Sequence, residues 1–209
     1  TASGKSLCYT LPVLASLLDA RPGRALFLFP TKALSRDQMA AFGKLLQSMP
    51  RQVRAGVFDG DTPPSERKVL RGTGDVVVTN PYMLHSGILP HHVRWASLFR
   101  DLRYVVIDEM HTLTGVFGSH VANVLRRLRR VAAFHGAHPT FVLSSATIAN
   151  AAEHASRLIG EDVEFETALK SGRFGAAADH LRELEKRSAS PADIEKLKAR
   201  LEKARAASE

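Results

Sequence analysis

Two short stretches carry residue types whose order can do phosphate chemistry. Thr1-Ala2-Ser3-Gly4-Lys5-Ser6 ends in a Gly-Lys-Ser run that leads straight into an apolar segment. A glycine at that place lets backbone N–H groups approach phosphate oxygens, a lysine after it reaches the β- and γ-phosphates, and the serine hydroxyl ligates Mg2+. Residues Thr1 to Ser6 are therefore the candidate nucleotide cradle. The full loop pattern is Gly-x-x-x-x-Gly-Lys-Ser/Thr, which puts its first glycine ahead of residue 1. The tripeptide is a weak signal until an acidic partner follows at the end of a later strand. "YVVIDEMH" (104–111) supplies one. Asp108 there would support Mg2+, and Glu109 would orient or deprotonate an attacking water. A strand-ending Asp-Glu alone reads as a solvated turn; the pair of stretches is what makes it a nucleotide site.

These groups have to be held by regular elements, and the apolar pattern supplies them. Residues 6–20 carry Leu7, Leu11, Leu14, Leu17 and Leu18 at helical spacing, with Pro12 inside. "RALFLFP" (24–30), "VRAGVFD" (53–59), "DVVVTN" (75–80), "RYVVIDE" (103–109) and "TFVLSSA" (140–146) are short runs rich in Val, Ile and Phe. Helical stretches lie between most of them. Strands alternating with helices imply an α/β fold: a parallel sheet with helices on both faces. In such sheets ligands bind at the carboxyl ends of the strands. Those ends carry Thr31 and Lys32, Asp59 to Thr62, Thr79 and Asn80, Asp108 and Glu109, and Ser144 to Thr147, one polar rim assembled from five segments.

Bulk properties narrow the partners. The chain has 209 residues, a formal charge of +8 and a single cysteine. The charge fits either an anionic partner, nucleic acid above all, or a basic surface with no dedicated partner. One cysteine, Cys8, excludes an internal disulfide and a cysteine-based zinc site within the chain, and suits a reducing cytosol. A cytoplasmic location is expected, on the nucleoid if the source is bacterial, and no membrane partner, because the apolar runs are too short to span a bilayer. Past residue 167 the composition shifts: 17 of the last 42 residues are charged, against 24% of the chain. The chain therefore divides into residues 1–167 and a charged helical tail, 168–209. Ser190 caps its second helix, and Ile194, Leu197 and Leu201 form a narrow stripe. The tail reads as a hairpin, a partner-binding helix, or a solvated charged helix.

The order of the motifs then resembles a known family. "DEMH" (108–111) is an Asp-Glu-x-His box, and "SSAT" (144–147) follows the next strand. "PTKAL" (30–34), "FDGDT" (58–62) and "TNPYMLH" (79–85) lie in the matching order between the phosphate loop and the acidic box. Residues 1–147 resemble the first RecA-like P-loop domain of superfamily-two DExH-box helicases. "GVFGSHVANVLRRLRR" (115–130), with "TASGKSLCYTLPVL", looks like the MrfA-type group of DNA repair helicases related to RecQ. The resemblance implies ATP and Mg2+ as cofactors, held by Lys5, Ser6 and Asp108, with Glu109 as catalytic base. It implies that His111, Ser145, Ala146 and Thr147 couple the nucleotide to the strand-binding surface. It also implies that Pro30, Thr31, Lys32, Gly60, Thr79, Asn80 and Pro81 lie along the nucleic-acid backbone. The implied partner is single-stranded or tailed DNA, with movement 3′ to 5′.

The family motor closes a cleft between two RecA-like domains, the second supplying arginine fingers. Its late Gln-x-x-Arg-x-Gly-Arg box and its zinc-binding cysteines are absent from these 209 residues. The chain is thus expected to be a fragment that lacks the strand before the phosphate loop and the second domain, and to bind ATP weakly, hydrolyse it poorly and not unwind DNA alone. An RNA helicase, a duplex translocase, or a non-enzymatic nucleotide-binding module with a docking tail are the alternatives. Arg126, Arg127, Arg129 and Arg130 read as a solvated basic face rather than a DNA site, and Trp95 and Phe99 as core.

Overall fold

The computed structural model describes residues 5–47, 49, 51–146, 148–161 and 199. Thr1 to Gly4, Thr147 and the helices expected in the tail lie outside the described residues. Contacts divide the chain into two compact units: Thr1–Pro22, Phe42–Val53 and Glu166–Glu209 form one, Gly23–Ala41 and Arg54–Phe165 the other.

In the first unit, α1 (Lys5–Leu17) keeps Pro12 in its interior and buries Leu7, Leu11, Leu14 and Leu17. It ends before Leu18, whose N–H turns back to the Ala15 carbonyl, and Arg51 donates to the Leu17 carbonyl at 2.8 Å. The helix is shorter than the leucine spacing predicts because that arginine caps it early.

The second unit holds the sheet: β1 (Arg24–Leu28), β2 (Ala55–Val57), β3 (Val76–Thr79), β4 (Leu102–Ile107) and β5 (Thr140–Leu143), in the order β2-β3-β1-β4-β5. Every pairing is parallel, with Leu28 opposite both Thr79 and Ile107, and Ile107 opposite Leu143. That register brings the carboxyl ends of all five strands to one rim. Period-two alternation sends Leu26, Leu28, Val77, Val105 and Ile107 into one apolar cluster and leaves Ala25, Phe27, Val76, Val78 and Val106 on the opposite face, all of them buried. Near-continuous apolar strands are what burial on two faces requires. β5 departs from that pattern. Thr140 is exposed and Phe141 to Leu143 are half-buried, because it is an edge strand paired with β4 alone among the described residues.

The connections are α2 (Lys32–Leu46), α3 (Pro64–Thr73), α4 (Pro81–Met83), α5 (Ala96–Arg100), α6 (Gly115–Phe134) and α7 (Ala151–Ile159), with a π turn at Leu84–Ile88 and 3-10 turns at Leu89–Trp95 and Met110–Thr112. Trp95 and Phe99 are fully buried, and Trp95 meets Phe58 edge-on at 4.8 Å between ring centres. α6 turns Val121, Leu125 and Leu128 inward. Its arginines are not simply solvated. Arg126 donates to the Arg157 carbonyl at 3.0 Å, and Arg129 donates to the Ile159 carbonyl at 3.0 Å and pairs with Glu161. They satisfy the carbonyls that the end of α7 leaves open. No helix among the described residues is long and apolar enough to cross a membrane.

Candidate functional site

β4 and β5 end side by side and are laced together past their last residues. The Asp108 N–H donates to the Leu28 carbonyl at 3.1 Å, the Ser144 N–H to the Ile107 carbonyl at 2.9 Å, and the Met110 N–H to the Ser144 carbonyl at 2.9 Å. His154 of α7 donates from Nε2 to the Met110 carbonyl, 3.0 Å away. The acidic box is therefore fastened from three elements.

Asp108 is only 5% exposed. Its Oδ1 accepts from its neighbour's N–H, that of Glu109, at 2.9 Å and from the Ser144 hydroxyl. A carboxylate at a strand end, flanked by a hydroxyl, is a set of hard oxygens that suits Mg2+. Glu109 has φ 53° and ψ 40°, the one non-glycine residue with positive φ among those described. That left-handed turn separates the two carboxylates. Asp108 stays buried, while Glu109 reaches the rim with its side chain 24% exposed and meets His111 Nδ1 at 3.1 Å.

His111 Nδ1 has a second neighbour, the Ala146 N–H, also at 3.1 Å. One ring nitrogen cannot serve both at once. With a lone pair it accepts from Ala146; with a proton it donates to Glu109. Both contacts fall on this one atom, so the ring stands between the carboxylate of Glu109 and the backbone after β5. Of the residues expected to couple, His111 and Ala146 meet directly, and the serine that touches Asp108 is Ser144 rather than Ser145. The Ser145 hydroxyl is buried with no hydrogen-bond partner. Thr147 lies outside the described residues.

On the other side of the rim, Thr31 precedes α2, its hydroxyl oxygen accepting from the Leu34 N–H at 3.3 Å. Pro30 is half-buried; Thr31, Lys32 and Gly60 are exposed. Lys32 Nζ lies 3.1 Å from each oxygen of Asp61, and Arg36, one turn along α2, donates to Asp61 Oδ2 at 2.9 Å. The Lys32 ammonium, seconded by Arg36, holds the Asp61 carboxyl below the usual carboxylate range. Thr79, Asn80 and Pro81 face inward instead. The Thr79 hydroxyl donates to the Phe58 carbonyl at 2.6 Å, and Asn80 Oδ1 accepts from the Met83 N–H at 2.9 Å, capping α4. Their side chains build the turn, and the residue the turn exposes is Tyr82, at 74%. In the first unit, Lys5 is the first residue of α1 and Ser6 the second, as the start of a phosphate-facing helix requires.

Arg36 and His154 are the members that the sequence reading does not single out, while Ser144 and Asp61 stand in its polar rim without a role of their own. Arg36 carries a legible signal, since it stands four residues after Lys32 and hence on the same helix face. His154 carries none, because its partner is a carbonyl 44 residues away in sequence.

A buried strand-end Asp-Glu-x-His joined to the Ser-Ser-Ala segment that follows the neighbouring strand marks a RecA-like domain of the DEAD/DEAH helicase class. The family model "DEAD/DEAH box helicase" matches residues 1–155, and the chain belongs to that family. It is 51% identical over 175 residues to the ATP-dependent helicase YprA of Bacillus subtilis, covering 83% of this chain and 23% of that one. It is 44% identical over 165 residues to the ATP-dependent helicase hrq1 of Schizosaccharomyces pombe, covering 78% of this chain and 16% of that one. Among solved structures, the DUF1998 helicase MrfA bound to DNA and AMPPNP matches with a TM-score of 0.76 and 52% identity, over 78% of this chain and 23% of that one. The chain thus spans less than a quarter of the length of these three relatives.

Proposed function

We propose that residues 1–167 are the ATP-binding motor domain of an ATP-dependent DNA helicase of the MrfA and Hrq1 kind, moving 3′ to 5′ and serving DNA repair. The observation that carries this reading is the hydrogen-bonded series Asp108–Ser144 and Glu109–His111–Ala146 at the ends of β4 and β5. Two structures of MrfA bound to DNA support DNA as the strand, and the AMPPNP in one of them supports ATP as the nucleotide.

In this mechanism Lys5 binds the β- and γ-phosphates, and Ser6 and Asp108 hold Mg2+. The metal, when bound, withdraws charge from the transferring phosphoryl group. Glu109 orients the attacking water and takes its proton at the rim. His111 senses that step, because donating to Glu109 means releasing the Ala146 N–H. The segment after β5 then moves with the nucleotide state. Thr31, Lys32 and Gly60 hold the strand by its phosphates, with Pro30 setting the entry to α2 and Thr79, Asn80 and Pro81 supporting the turn beside them. Such contacts read no bases, as a motor that travels over any sequence requires. Unwinding calls for a second RecA-like domain, which none of the described residues builds.

The test is ATP turnover with Mg2+ in a protein that carries both RecA-like domains with this chain as the first. Single-stranded DNA is expected to stimulate it, and Glu109→Gln to lower it by roughly 10²–10⁴-fold. Turnover unchanged by Glu109→Gln would sink the reading. Stimulation by RNA and not by DNA would make the protein an RNA motor.

A further inference from the structure

The one lysine on the expected strand path is not free. Lys32 and Arg36 stand four residues apart on α2 and converge on the same carboxylate, Asp61, whose Oδ2 lies 3.1 Å from the ammonium and 2.9 Å from the guanidinium. A carboxylate straddled by an ammonium and a guanidinium is held as a phosphate would be, since both present two equivalent anionic oxygens. All three side chains are about half exposed, so the seat opens to solvent.

The loop that carries Asp61 is fixed without the help of its carboxylate. The Asp61 N–H donates to Asp59 Oδ1 at 2.8 Å, and the Asp59 N–H to the Thr62 hydroxyl at 2.8 Å. Arg67 donates to the carbonyls of Asp59, Gly60 and Thr62 at 3.0, 2.9 and 2.7 Å. Asp61 can therefore swing away while the backbone stays. Gly60 leaves room beside the ammonium, because a Cβ there would stand 3.5 Å from Lys32 Nζ. Arg36 also lies 3.6 Å from Asp59 Oδ2, which is buried and makes no hydrogen bond. Replacing Asp61 by a phosphate oxygen leaves the local charge balance unchanged: two cations, one buried carboxylate and one more anion.

We propose that Lys32 and Arg36 form a seat for one backbone phosphate of the bound strand, and that Asp61 fills this seat when no strand is present and must leave for the strand to bind. The proposal adds Arg36 to the strand contacts and makes Asp61 a built-in competitor; it rests on the strand-binding reading above.

The experiment is fluorescence anisotropy of labelled oligothymidylate with the 209-residue chain at low salt. Asp61→Asn keeps the shape and removes the competing charge, and binding is expected to tighten roughly two- to thirtyfold, the span of two exposed ion pairs. Arg36→Gln and Lys32→Gln each weaken binding. Asp61→Asn gains nothing in the Lys32→Gln, Arg36→Gln background and gains less over Lys32→Gln alone, which leaves Arg36 on Asp59. Weaker or unchanged binding by Asp61→Asn would show that Asp61 positions the cations or is idle, and would overturn the proposal. So would a gain that persists without both cations, since it would then be a general charge effect. A parent chain that binds no oligothymidylate would overturn the strand-binding reading and this proposal with it, whereas a parent that binds while Asp61→Asn does not tighten overturns this proposal alone.

Discussion

At the scale of single residues, Glu109 shows a conflict between stability and chemistry. A side chain in the left-handed region costs about 1–2 kcal/mol, and such strain persists only where the surroundings enforce it. Here the enforcement is visible: Asp108 Oδ1 accepts from the Glu109 N–H and the Met110 N–H is drawn to Ser144. Glycine adopts this conformation without that cost. Glu109→Gly is therefore expected to raise Tm by about 2–4 °C per kcal/mol relieved while abolishing ATP turnover. A thermal melt and a phosphate-release assay check the two halves, and a lower Tm would show that Glu109 is not strained. The sequence told of two acids at a strand end, and their chemistry was legible because Gly4-Lys5-Ser6 precedes them by about a hundred residues; alone, the pair reads as a solvated turn. It did not tell which of them would be buried. That division follows from one φ angle, which no residue type between Ile107 and His111 announces.

At the scale of elements, the five strands were legible because each is a short apolar run between turn residues, and the burial of β1, β3 and the end of β4 on both faces followed from the lack of alternation, whereas the edge strands β2 and β5 are half-buried or exposed. The stretch from Pro81 to Arg100 was less so. It passes from an α turn through a π turn to a 3-10 turn, and side-chain spacing does not distinguish i+3, i+4 and i+5 hydrogen bonding in so short a span. The first turn of α6 is another case. A Cβ on Gly118 would stand 2.3 Å from the Leu113 carbonyl oxygen and 2.6 Å from its carbon, both of them backbone. The helix can start this close to the acidic box only because position 118 has no side chain. Gly118→Ala must push α6 off that carbonyl, with an expected loss of about 1–3 kcal/mol in a denaturant melt. Gly43→Ala on α2, where nothing lies within 4 Å of the added carbon, is the matched comparison and is expected to stabilise by up to about 1 kcal/mol. Equal effects at the two sites would refute the close approach.

At the scale of the whole molecule, the question is whether strand binding belongs to the rim or to the net charge of +8. The two make different predictions for salt. The seat on α2, the loop after β2 and the turn after β3 belong to three adjacent strands of the sheet. At about 4.8 Å per strand they span about 10 Å, room for two or three phosphates of an extended strand. For single strands the logarithm of the binding constant falls with the logarithm of salt with a slope of about −0.7 per phosphate neutralised, so a rim whose one cationic pair neutralises one phosphate gives a slope of about −0.7. It also gives similar affinities for oligothymidylate, oligoadenylate and oligocytidylate, because the exposed groups there reach phosphates and not base edges. A diffuse basic surface, with its many lysines and arginines acting together, would give a slope steeper than about −5. Anisotropy titrations from 50 to 200 mM salt separate the two. The shallow slope, brought near zero when Lys32 and Arg36 are both replaced by glutamine, is the expected result. A steep slope that ignores those two residues would move the strand off the rim.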